Sequence, residues 1–91
     1  MVTETFTILN ASGLHARPAA TLVRQAALFK STITLIKDGF RVNGKSIMGV
    51  MMLAAEQGSV IRVEVSGEDE EDALTGIGEL ITQQFGESEE Q

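Results

Sequence analysis

The residues best placed to do chemistry lie in Gly13-Leu14-His15-Ala16-Arg17-Pro18-Ala19-Ala20. This stretch holds the only histidine, the only proline and one of the seven basic residues. Turn-like residues end there and an alanine-rich apolar pattern with helical spacing begins. His15 therefore falls at a helix cap, Ala16 and Arg17 in the first turn, and Pro18 just inside it. Proline is accommodated there because first-turn N–H groups have no intrahelical partner, although it biases Arg17 away from helical angles. A helix N-terminus presents free N–H donors and partial positive charge, which suits an anion. An imidazole at that end is a candidate nucleophile. Should that ring accept a phosphoryl group, the field favours the dianion, and Arg17 can add charge-assisted hydrogen bonds. The plainer alternative is an exposed loop histidine beside an ordinary helix start.

A second chemical candidate is Gly39-Phe40-Arg41-Val42-Asn43-Gly44-Lys45-Ser46, which matches the phosphate-loop pattern G-x-x-x-x-G-K-S between a strand and a helix. A nucleotide-binding protein is thus one alternative. That chemistry needs the intervening residues in a loop whose N–H groups wrap phosphates. Here Phe40 and Val42 read instead as core-facing positions of a hairpin strand, and no strand ends in a metal-binding aspartate. Ser46 has a structural role in either reading, capping the helix that begins at Ile47 through an N–H near Gly49.

The segment Gly13-Leu14-His15-Ala16-Arg17-Pro18-Ala19 resembles the active-site signature of the HPr family. These are the histidine-containing phosphocarriers of the phosphoenolpyruvate:sugar phosphotransferase system. Gly44-Lys45-Ser46-Ile47-Met48-Gly49-Val50-Met51 resembles the regulatory-serine segment of the same family, and the likeness extends over nearly the whole chain. The resemblance implies that His15 receives a phosphoryl group on Nδ1 from phosphorylated enzyme I and passes it to a sugar-specific enzyme IIA. The Ala16 and Arg17 N–H groups and the Arg17 side chain would stabilise the transferring charge. It implies ATP-dependent phosphorylation of Ser46 by a kinase/phosphorylase, with a catabolite-control transcription factor as a further partner. It also places partner binding on the helix after His15 and on the helix after Ser46, hence on Arg24, Ile47, Met48 and Met51. Met52 stands where a small polar residue is expected. A purely regulatory relative, in carbon or nitrogen control, is another alternative; regulators using only the serine lack the histidine present here.

The chain of 91 residues, 43% hydrophobic, suits a single domain spanning 1–91. Cysteine is absent, which removes disulfides and thiolate metal sites and is compatible with a reducing compartment. The start Met1-Val2-Thr3-Glu4 lacks signal-peptide character, and the longest apolar run, Ile47 to Ala55, is far too short to cross a bilayer. A cytoplasmic monomer is expected, a carrier rather than an enzyme, with no cofactor, metal, nucleic acid or membrane insertion. The net charge of -6 is uneven. Residues 1–56 hold six basic and three acidic side chains, whereas residues 57–91 hold Arg62 against ten acids. The basic excess surrounds His15, where it would steer an anionic or acidic partner, with Arg24 two helical turns beyond Arg17 near the same face.

Positioning these groups falls to seven elements. Strands are expected over Thr3–Leu9, Thr32–Lys37, Phe40–Val42 and Val60–Ser66, with Asp38-Gly39 as a hairpin turn. Helices are expected from Ala16 to about Leu28, from Ile47 to about Leu53, and over the stripe Leu74, Ile77, Leu80, Ile81 and Phe85. The acids Glu68 to Asp72 suit the solvated first turn of the last helix better than a metal cluster. The tail from Glu87 to Gln91 is expected to fray. The hairpin forces antiparallel pairing, and one apolar face per strand calls for helices on one side. The result is an α+β, βαββαβα open-faced two-layer sandwich, with a four-stranded antiparallel sheet and three helices on one face. HPr-like proteins have this fold, so resemblance and periodicity agree.

Overall fold

A computed structural model describes residues 1–87. Its elements are β1 (Val2–Thr7), α1 (Ala16–Ala26), β2 (Thr32–Lys37), β3 (Phe40–Asn43), α2 (Ile47–Met52), β4 (Val60–Ser66) and α3 (Glu70–Thr82). A single 3-10 turn over Gln84–Gly86 follows. The strands form one antiparallel sheet in the order β1-β4-β2-β3, which is the expected sandwich.

Alternation decides the layering. Ile61, Val63 and Val65 of β4 are fully buried, as are Ile33 and Leu35 of β2, and they meet Ala19, Leu22 and Ala26 of α1 and Ala73, Ile77 and Ile81 of α3. Gly76 and Gly78 each cost α3 about 1 kcal/mol of helix propensity. Burying Ile77 and Ile81 contributes about 1.5–3 kcal/mol apiece, so packing decides. Gly78 also has a steric reason: a Cβ there would lie 2.7 Å from the Phe6 ring of β1.

Several boundaries and faces differ from the periodicity. β1 stops at Thr7, and Ile8 continues inward by bonding Ser59 and Gly58 through its backbone. α1 ends at Ala26, leaving Leu28 exposed. Phe40 shares the face of Val42 but is half exposed, because it starts the short edge strand β3 beside the turn, while Val42 is buried. Ile36 is buried although it faces away from the helices. In register it lies between Arg41 and Arg62, whose guanidinium groups both pair with Glu64, at 2.8 and 3.3 Å. The apolar stems of such long side chains cover neighbouring hydrophobic surface.

The chain's end departs furthest. α3 stops at Thr82, and Gln84, Phe85 and Gly86 are all left-handed, with φ of 59°, 56° and 80°. Phe85 is nevertheless buried. Glu87, expected to begin a frayed tail, is instead hydrogen-bonded to Asn10 and Ser12; residues 88–91 of that expected tail lie outside the described residues.

Candidate functional site

The histidine sits where its neighbours place it. Gly13 adopts φ +64°, and a Cβ there would stand 2.5 Å from the Ala55 carbonyl oxygen. Only glycine combines that angle with that close approach. The next residue, Leu14, is buried and donates its N–H to the same Ala55 oxygen at 2.8 Å. The loop before α1 is thereby fastened to the loop after α2, and the chain emerges at His15 as the N-cap of α1 with extended backbone (φ -74°, ψ -174°).

His15 makes no side-chain capping bond and is exposed, as are Ala16 and Arg17, while Pro18 and Ala19 behind them are buried. Its carbonyl accepts the first helical bond, from Ala19 N–H at 2.8 Å. The Ala16 and Arg17 N–H groups have no preceding turn to bond, and the first turn of α1 contains no acid to occupy its positive end. The imidazole, two free N–H donors and a guanidinium therefore share one exposed helix end, an arrangement able to hold a phosphoryl group on the ring. Among the described residues Arg17 and Arg24 form no ion pair, unlike Lys30, Lys37, Arg41 and Arg62. Arg24 is exposed in the last turn of α1, its guanidinium 3.4 Å from the Thr21 hydroxyl, which itself donates to the Arg17 carbonyl at 3.0 Å.

Ser46 caps α2 as expected: its hydroxyl oxygen accepts the Gly49 N–H at 3.1 Å. α2 packs beside α1. Val50 and Leu53 point inward, while Ile47, Met48, Met51 and also Met52 are exposed, from 41% to 68%. An apolar surface thus adjoins the helix that carries His15 and Arg24. No hydrogen bond or ion pair links His15 or Arg17 to Ser46 among the described residues.

The phosphate-loop alternative fails on geometry. Phe40–Asn43 is a ladder strand paired with β2, and Gly44 donates to the Ile33 carbonyl at 2.7 Å. Lys45 donates its ammonium to the Phe29 carbonyl at 2.7 Å, just past the end of α1. The segment's donors are committed to holding the hairpin and the helix.

Other roles carried no sequence signal. Asp69, expected in a solvated first turn, makes no capping bond; its carboxylate accepts the Lys30 and Ser31 N–H groups, at 2.8 and 2.9 Å, and the Ser31 hydroxyl. The Ser31 hydroxyl, and next the Lys30 N–H, hold its carboxyl below the ordinary value of 3.8. Glu70 is likewise lowered, chiefly by the Gly67 N–H that it accepts at 3.1 Å. Nor did residue type or spacing flag the contacts of Asn10, Ser12 and Glu87, which converge across the whole length of the chain. Among the described residues no cluster of histidine, aspartate or glutamate fits a metal, and no helix is long and apolar enough to cross a membrane.

Comparison with known proteins bears on the family and the fold. Residues 2–83 match the family model described as PTS HPr component phosphorylation site. The phosphocarrier protein HPr of Xylella fastidiosa (strain Temecula1) is 49% identical over 87 residues, which cover 96% of this chain and 98% of that one. The HPr-C-His crystal structure from Thermoanaerobacter tengcongensis superposes with a TM-score of 0.94 at 46% identity, covering 97% of this chain and 99% of that one. An HPr dimer crystallised from the same organism matches with a TM-score of 0.77 at 47% identity, covering 96% and 100%.

Proposed function

This chain belongs to the HPr family and is a phosphocarrier of the phosphotransferase system; we propose that it takes a phosphoryl group on His15 from phosphorylated enzyme I and delivers it to a histidine of a sugar-specific enzyme IIA. The observation that carries this reading is His15 at the N-cap of α1, its side chain uncommitted and its helix end free of acids. In the forward step His15 Nδ1 attacks phosphorus and the donor histidine nitrogen leaves. In the second step His15 is the leaving group, so the protein ends the cycle unchanged. Charge on the transferring oxygens is met by the Ala16 and Arg17 N–H groups and by the Arg17 guanidinium. Arg24 and the exposed Ile47, Met48 and Met51 supply the docking surface, pairing uncommitted positive charge with adaptable apolar contact.

Ser46 is the regulatory site in this reading, a substrate for an ATP-dependent kinase/phosphorylase, with a catabolite-control transcription factor as the partner of the phosphorylated form. A phosphate at the start of α2 is electrostatically welcome. The carrier works as a cytoplasmic monomer, so the dimer seen for the Thermoanaerobacter protein is not needed for transfer. Incubation with phosphoenolpyruvate and enzyme I, followed by mass spectrometry, should give one acid-labile, base-stable phosphate on His15 and none in His15→Ala. Labelling that survives in that variant would place the site elsewhere.

A further inference from the structure

Glu87, the last described residue, meets the loop that carries His15 through specific hydrogen bonds. Asn10 is fully buried, three residues after the end of β1. Its Nδ2 faces three acceptors: the Gly13 carbonyl at 2.9 Å, the Ser12 hydroxyl at 3.1 Å and the Glu87 Oε1 at 3.0 Å. Ser12 donates its hydroxyl to the same Glu87 oxygen at 2.7 Å. The Gly13 N–H closes the loop on the Asn10 carbonyl at 3.1 Å. The Asn10 Oδ1 is buried without a hydrogen-bond partner. A buried unpaired amide oxygen is unfavourable, so the three contacts at the nitrogen outweigh it and orient the amide.

Reaching that loop distorts the chain. Gln84 and Phe85 are consecutive left-handed residues with side chains, followed by left-handed Gly86. Non-glycine residues rarely adopt this conformation, and it persists where surrounding contacts over-determine it. Two contacts do so here. The buried Phe85 ring anchors the 3-10 turn, which packs against both α3 and α1, and Glu87 is held by Asn10 and Ser12.

We propose that Glu87 is a positioning residue for phosphoryl transfer: through Ser12 and Asn10 it fastens the loop that sets the backbone of His15 at the start of α1. The proposal rests on His15 being the phosphoryl acceptor. The loop is then held from two sides, by Ala55 through the Leu14 N–H and by Glu87 through Asn10 and the Gly13 carbonyl. Fixing it aims the imidazole while leaving Ala16 and Arg17 free to meet the phosphoryl oxygens, an entropic contribution realised before the donor docks. Glu87 acts by accepting hydrogen bonds, so the neutral isostere glutamine, whose amide oxygen accepts the same two donors, should replace it.

The test compares wild type, Glu87→Ala, Glu87→Gln and Ser12→Ala as full-length chains, by two readouts. Amide hydrogen exchange at Gly13 and Leu14 in the free protein reads the loop without any partner. Enzyme I-dependent phosphorylation of His15 reads transfer. Glu87→Ala should speed exchange at these amides by about tenfold, the factor expected for loss of about one net hydrogen bond. It should lower kcat for phosphorylation by a similar factor, with KM for enzyme I little changed, while Glu87→Gln stays within about twofold of wild type in both. Should Glu87→Ala not fold, Ser12→Ala, which removes only the bridging hydroxyl, must show the same direction. Unchanged exchange and kcat in Glu87→Ala would overturn the proposal, as would a Glu87→Gln variant as impaired as the alanine one. If wild type accepts no phosphate, it is the His15 assignment that falls, and the exchange measurement still decides whether Glu87 holds the loop.

Discussion

The Lys45 ammonium donates to the Phe29 carbonyl at 2.7 Å, so the residue before the Ser46 cap is tied to the chain just past the end of α1. A cation near the end of a helix satisfies carbonyls that the ladder leaves free and meets the negative end of its dipole. The same contact takes the lysine away from any nucleotide.

Lys45→Ala should therefore lower stability by about 0.5–1.5 kcal/mol, read as a lower melting temperature, with phosphorylation of His15 largely intact. Neither protein should bind ATP tightly. Micromolar ATP affinity in wild type that vanishes in the variant would restore the nucleotide-binding alternative.

Gly13→Ala should disturb the His15 loop from its other side. The left-handed angle costs a side chain about 1–2 kcal/mol, and the Cβ would stand 2.5 Å from the Ala55 oxygen. Thermal denaturation should show a loss of at least that size, and His15 phosphorylation should slow. A variant as stable and as fast as wild type would show that the loop relaxes freely.

Arg17→Ala and Arg24→Ala should each weaken productive encounter with enzyme I, and the defect should shrink as salt is raised. Each exposed charge should matter by about 1 kcal/mol or less in docking, with Arg17 additionally lowering kcat through its place beside His15. Kinetics in both variants that match wild type from low to high salt would count against electrostatic steering.

Ser46→Asp should slow transfer from enzyme I without unfolding the protein. A carboxylate can replace the hydroxyl that accepts the Gly49 N–H, and it suits the helix start. Its charge, however, adjoins Ile47 and Met48 of the proposed docking surface, and desolvating it there opposes binding. Melting temperature and phosphorylation rate separate the two effects. An unchanged rate would remove the switch, and a collapsed melting temperature would show a broken helix.

Acid should release the tie between α3 and the turn after α1. Asp69 is held below 3.8 mainly by the Ser31 hydroxyl and the Lys30 N–H. A lowered carboxyl contributes stability above its unfolded value, and that contribution is lost as pH falls through the lowered one. Asp69→Asn should thus melt earlier than wild type at neutral pH, and the gap should close below the ordinary carboxylate range. A gap that stays constant down to that range would assign the loss to packing.

Local rules sufficed for much of this protein. The alternation in Val60–Ser66, the Asp38-Gly39 turn, the Ser46 cap and the proline inside the first turn of α1 each act within a few residues, so residue type and spacing determined the strands, the helices and the His15-Arg17 helix start. The exposure of Ile47, Met48 and Met51 matches the surface that the resemblance implied, whereas the inward turn of Val50 and Leu53 and the exposure of Met52 carried no sequence signal. Tertiary structure alone decided what depends on distant segments meeting. The sheet order sets which strand is an edge, and hence why Phe40 is exposed and why Ile36 is covered between two arginines. Asp69 leaves its own helix cap because Lys30 and Ser31 arrive beside it, and Glu87 is held because Asn10 and Ser12 turn toward it. Such contacts join residues up to 77 positions apart, and no periodicity encodes them; they follow from the packing of the core that brings those segments together.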